Sequence, residues 1–213
     1  MKASLWAFLE AVFLYFFLQR HTKYARQKGF LFWTQVMIMA GFGYCVNRLS
    51  LAPEWEWRWG ALLVLLGTMA ISDGEELRIP NFLVLLLLWA RLFSVIFVNP
   101  AGRTGWLSSA ARDALSGVLG FLFLSVFYWF TRGAISAGDI KAMSAMVFIC
   151  GASFAITIFF VALLSAFFYG GIQVLVRGRE KIQSIPFAPF LWWGSIWVCR
   201  WCFLQVRAEA FLL

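Results

Sequence analysis

The chain has 213 residues, 62% of them apolar and only 13% charged, with a mean hydropathy of +0.81. Soluble domains run about 45–50% apolar and about 25% charged, so one globule cannot bury the surplus. A water-soluble enzyme, a disordered regulator and a secreted disulfide scaffold are excluded, and an integral membrane protein is expected. The net charge of +8 does not imply a nucleic-acid partner, because most of the 18 Lys and Arg residues punctuate apolar stretches, as in membrane-protein loops.

A helix needs about 20 apolar residues to cross a hydrocarbon layer roughly 30 Å thick. Eight stretches qualify as predicted spans, at 3–19, 29–47, 59–73, 80–98, 111–130, 139–150, 153–176 and 185–206. The fold class is therefore an all-α polytopic membrane protein of about eight transmembrane helices. Two N-terminal helices in 1–52, joined by a short basic loop, precede a six-helix core in 53–213. The first stretch lacks a small-residue cleavage site and ends in Gln19-Arg20-His21-Thr22-Lys23, so it reads as a retained helix. In the second, Cys45 reads as a small buried hydrophobe, as do Cys150, Cys199 and Cys202 further on; one C-x-x-C without a second pair or a nearby His predicts no metal site.

Between the second and third spans, Trp55, Trp57 and Trp59 suit an outer interfacial belt. The third span ends at Asp73, in Ser72-Asp73-Gly74-Glu75-Glu76, and the fourth opens at Pro80-Asn81. The sixth and seventh come from one uncharged run, Ala142 to Val176. At 1.5 Å per residue that run would reach roughly 52 Å, too long for one crossing. A turn at Gly151-Ala152-Ser153 is expected to split it into a hairpin with a short first arm. Alternation puts ten basic residues on one side (Arg20, Lys23, Arg26, Lys28, Arg78, Arg132, Lys141, Arg177, Arg179, Lys181) and seven on the other. The positive-inside bias makes the richer side cytoplasmic.

Only ten acidic residues exist, so each one near the membrane calls for a reason. Asp73 and Asp139 both fall at cytoplasmic ends of their spans and can meet. Close carboxyls cannot both ionise; they share a proton, so one can accept a proton from water while the other donates to a leaving group. The plainer reading is that Asp139 caps the helix it opens. Mid-span Glu10 and Arg91 lie at similar depth and are expected to pair across the first and fourth helices, because a lone charge there is costly. His21 reads as a solvated loop residue.

Three segments occur in one order: Asp73 with Pro80-Asn81, then Ser136-Ala137-Gly138-Asp139-Ile140-Lys141, then Ile185-Pro186-Phe187-Ala188-Pro189-Phe190. Together they resemble the type IV prepilin leader peptidases, polytopic aspartic peptidases of the G-x-G-D class that include the small peptidases of Tad/Flp-type pili. The resemblance covers about residues 59–206. It implies an endopeptidase that removes the basic leader of a prepilin or pseudopilin at the cytoplasmic face of a bacterial plasma membrane, with Asp73 and Asp139 catalytic and no cofactor. Gly138, Lys141, Pro80, Asn81, Glu75, Glu76 and Pro186 would shape the site or touch the substrate.

Two departures stand out. Ser136 replaces the first glycine of G-x-G-D. The short loop Arg20 to Lys28 lacks the paired C-x-x-C motifs that long members carry there in a domain associated with N-methylation, so cleavage without methyltransfer is expected. Rival readings are a non-enzymatic transporter or assembly scaffold, and a G-x-G-D peptidase acting on another signal-peptide class.

Overall fold

The computed structural model describes residues 53–98, 106–130, 136–177 and 185–212, all helix and short connections. The two predicted N-terminal spans, Glu10 and the loop from Arg20 to Lys28 lie outside these residues. Six α-helices follow in order: α1 (Pro53–Glu76), α2 (Asn81–Phe93), α3 (Trp106–Phe130), α4 (Ala137–Cys150), α5 (Ala152–Arg177) and α6 (Ala188–Leu212), with a π-helical turn, Ser94–Val98, continuing α2.

The third predicted span is really a longer helix, because α1 runs on past Asp73 to Glu76. It stops where Leu77 takes a left-handed φ of 51°, its N–H returning to Asp73 O at 3.0 Å. The Ser72 hydroxyl then donates to Arg78 O at 3.1 Å, satisfying a carbonyl beyond the helix end. Pro80 starts α2 from the N-cap position, with extended dihedrals of −62° and 128°, so the helix begins one residue after it.

The long apolar run breaks at Gly151, whose φ of +82° suits glycine, and the break is a single residue. Its N–H bonds to Val147 O at 2.9 Å and its carbonyl accepts from Ala155 N–H at 3.1 Å, so the reversal leaves neither group unpaired.

The short α4 lies at the centre, packed by α1, α2, α3 and α5, while α6 lies against α1 and α5. That position explains why α4 is apolar nearly all round: Ile140, Ala142, Met143, Ala145, Met146 and Ile149 are all buried. Leu62, Leu66 and Met69 of α1, Leu83 and Leu87 of α2, Ile158 of α5 and Leu191 of α6 complete the core. α5 and α6 approach closely at Gly194, where a Cβ would sit 2.7 Å from Ile158 O.

Segments Ala110–Phe130 and Ala152–Val176 are long and apolar enough to cross a membrane. Both leave large apolar side chains outside, among them Phe123, Trp129 and Phe130 on α3 and Phe160, Phe167 and Leu175 on α5. Such faces are costly in water and at home in lipid.

The tryptophans differ from the predicted belt. Trp59 is buried and, with Trp55 one turn earlier, packs edge-on against Phe154 of α5. Trp57 rests on Phe93 and donates its indole N–H to Ala90 O at 2.9 Å, beside the π-helical turn. The cluster holds α1 against α2 and α5.

Candidate functional site

Three helix ends meet around two carboxyls. Asp73 lies in the last turn of α1 and Asp139 in the first turn of α4; they are 5% and 7% exposed. The helices pack directly, and the two carboxyls are close enough for the charge on Asp73 to act on Asp139. The third end belongs to α6. Its first residue, Ala188, donates its backbone N–H to Asp73 Oδ2 at 2.9 Å, and the Phe187 N–H faces the same carboxyl. A helix N-terminus is a ready partner for an anionic carboxylate, because its first N–H groups have no partners within the helix. The Pro186-Phe187-Ala188-Pro189-Phe190 segment thus enters the site through its backbone.

Asp139 is held differently. Ser136, not Asp139, is the N-cap of α4: its Oγ accepts the Asp139 N–H at 3.1 Å. Asp139 is the third helical residue, which corrects the plainer expectation that it caps the helix itself. The Ser136 hydroxyl also donates to Asp139 Oδ2 at 2.8 Å. The other oxygen, Oδ1, is buried with no hydrogen-bond partner among the described residues.

The remaining predicted residues divide between this site and its rim. A Cβ at Gly138 would sit 3.4 Å from Ile79 Cβ, an ordinary contact. Gly138 has no left-handed φ either, so neither space nor backbone conformation demands glycine there. Lys141 and Asn81, both exposed, are joined at 3.2 Å from Nζ to Oδ1, linking α4 to the start of α2. Pro80 positions Asn81 by starting that helix. Glu76 is exposed at the end of α1, and the Glu75 side chain lies outside the described set. Pro186 is half-buried in the approach to α6, two residues ahead of its first helical position.

Two features escaped the sequence reading. One is the Ser136 hydroxyl, although Ser-x-x-Asp is the spacing of a helix-capping pair. The other is Asp113 of α3. Fully buried Arg91 donates to Asp113 Oδ2 from Nε at 3.2 Å and from an Nη at 2.7 Å, and to Ser94 Oγ at 2.9 Å. Arg58 reaches the same Asp113 oxygen at 3.3 Å while lying over the Trp55 ring. Among the described residues Arg91 pairs with Asp113; its expected partner Glu10 lies outside them. Ten residues of α2 separate Asn81 from Arg91, about 15 Å of helix, so this network occupies a different level of the bundle from the aspartates.

Residues 60–171 match the type IV leader peptidase family. Three curated relatives, each named prepilin leader peptidase/N-methyltransferase, are similar to the chain. That of Bacillus subtilis (strain 168) is 33% identical over 132 residues, covering 62% of this chain and 50% of its own length. Those of Xanthomonas campestris pv. campestris and Pseudomonas aeruginosa are 26% and 33% identical over 156 residues, covering 67% and 66% of this chain and 52% and 50% of theirs. The chain spans about half the length of these relatives. No solved structure matches it.

Proposed function

Because the chain belongs to the type IV leader peptidase family, we propose that it is an intramembrane aspartic endopeptidase removing the leader of a prepilin or pseudopilin, with Asp73 and Asp139 as its catalytic pair. The observation that carries this reading is the meeting of two buried carboxyls from different helices, each with one oxygen tied by a fixed donor. A water between them gives a proton to the ionised carboxyl as its oxygen bonds to the scissile carbonyl carbon. The tetrahedral intermediate then collapses: the C–N bond breaks as a proton passes to the leaving amine. Neither step needs a covalent acyl-enzyme or a cofactor.

The same reading takes residues 1–52 as two further spans and 53–213 as the peptidase core, giving eight crossings of a bacterial plasma membrane. The aspartates then face the cytoplasm, in line with the ten basic residues on that side. In this reading Lys141 and Asn81, in the first turns of α4 and α2, and Glu75 and Glu76, in the last turn of α1, shape the site or meet the basic leader. The relatives' names also include N-methyltransferase. Arg20 to Lys28 contains no cysteine, and we assign this chain cleavage without methyltransfer.

The test is co-expression with a panel of prepilins, following leader removal by gel shift for wild type, Asp73→Asn and Asp139→Asn. Cleavage by the wild type alone, with both variants folded and membrane-inserted, supports the pair. Cleavage that survives either substitution overturns it.

A further inference from the structure

Resting on the peptidase reading above, we propose that Ser136 is a positioning residue for Asp139: its hydroxyl holds Oδ2 and leaves Oδ1 as the oxygen that exchanges the proton during hydrolysis. The hydroxyl makes two bonds to one residue, accepting the Asp139 N–H at 3.1 Å and donating to Oδ2 at 2.8 Å. Those bonds fix both the backbone and the rotation of the carboxyl. Oδ1 is buried and has no partner among the described residues, an expensive state for a carboxylate oxygen unless it is kept for a reacting group.

In the resemblance to G-x-G-D peptidases this position is that of the first glycine, and the Ser136 backbone explains how a serine fits. Ser136 has φ −71° and ψ 150°, an extended conformation open to any residue, so nothing at this position demands glycine. A glycine would have no donor for Oδ2, whereas serine supplies one at no backbone cost. A hydroxyl donating to a carboxylate oxygen works with the ionised form, whereas burial of Asp139 works against it.

The charged surroundings leave the hydroxyl as the adjustable contact. From α1, Asp73 acts on Asp139. On α4 itself, Lys141 is exposed and bonded to Asn81 of α2; Glu76 and Arg78 are exposed at the end of α1. α5, packed against α4, ends at this level in Arg177, whose side chain lies outside the described set, and the described part of α3 brings no charged residue to this end of the bundle.

The experiment compares wild type, Ser136→Gly and Ser136→Thr, purified whole in detergent. Glycine caps a helix within a few tenths of a kcal/mol of serine, so Ser136→Gly removes the donor with little change in fold. The probe is a synthetic peptide with a basic leader ending in glycine ahead of an apolar segment, its cleavage followed by mass spectrometry across pH. The acid limb of kcat is expected to move up by about one pH unit in Ser136→Gly, lowering kcat about tenfold below the limb with KM unchanged. Ser136→Thr, which keeps the hydroxyl, is expected to follow wild type. Infrared titration of the protonated Asp139 carboxyl, assigned by its loss in Asp139→Asn, supplies a readout independent of turnover and is expected to show the same upward move. Superimposable profiles and titrations for wild type and Ser136→Gly would reduce Ser136 to a helix cap and overturn the proposal. If the wild type cleaves nothing, the peptidase reading falls and with it the catalytic part of this one, while the infrared titration still decides whether the hydroxyl holds the carboxyl.

Discussion

Asp73 Oδ2 accepts the backbone N–H of Ala188 at 2.9 Å, tying the last turn of α1 to the first turn of α6 across 115 residues of chain. The bond uses one carboxyl oxygen and asks nothing of the Ala188 side chain. It makes Asp73 a structural contact as well as the proposed catalytic one, and the two roles separate by substitution.

Asparagine keeps a carbonyl oxygen for the Ala188 N–H but cannot carry the negative charge. Asp73→Asn is therefore expected to fold and insert as wild type does while cleavage falls about a thousandfold, within the range for loss of a general acid or base. Asp73→Leu loses both, and its melting temperature in detergent should drop as well. Thermal unfolding run beside the cleavage assay separates the two; equal melting of Asn and Leu variants would show that the Ala188 bond contributes nothing.

Asp113 neutralises charge from two arginines in a region where charge is costly. Removing one partner of a buried pair costs roughly 3–5 kcal/mol, because the remaining charge is stranded. Asp113→Ala is expected to show a loss of that order, and Asp113→Ala with Arg91→Met to recover part of it. Chemical denaturation in mixed micelles measures both, and a double variant no better than the single one would contradict the pairing.

At Gly194 the space for a methyl group is already taken, since Ile158 O would lie 2.7 Å away. The obstacle is backbone, which cannot rotate aside. Gly194→Ala should force α5 and α6 apart and cost about 1–3 kcal/mol, seen as a lower melting temperature. Unchanged melting would mean that the two helices slide without penalty.

Leu77 presents the opposite case. It is 48% exposed and holds a φ of 51°, a conformation that strains a side chain with a Cβ. Leu77→Gly is expected to stabilise the end of α1 by about 0.5–1 kcal/mol. Destabilisation instead would show that the leucine side chain makes up for the strain through its apolar contacts.

Much of this architecture is legible in the residues alone. The apolar stretches locate the six described helices, with ends that differ by up to six residues, and glycine at 151 marks the reversal between α4 and α5. Asp73 and Asp139 announce themselves because charge is scarce. What the pattern hides is pairing. Asp113 follows Arg112 in an otherwise small and apolar stretch, with nothing local to show that Arg58 and Arg91 converge on it from two other helices. Ser136 is hidden for another reason: compared with a glycine it looks like a loss, and only the folded position of Asp139 turns its hydroxyl into a contact. Trp59 misleads in the same way, since an aromatic near a membrane boundary can face lipid or core, and helix phase decides which.

The single-residue junction at Gly151 bears on how the protein enters its membrane. With 14 residues, α4 rises about 21 Å, short of a hydrocarbon layer roughly 30 Å thick. It therefore makes a poor stop or start signal by itself, and α5, with 26 residues, supplies the apolar length. Since the junction satisfies its own amide and carbonyl, it can lie in hydrocarbon without an orphaned polar group. The pair can then be laid down as one helical hairpin, and Asp139 travels to its depth as cargo on the insertion of α5.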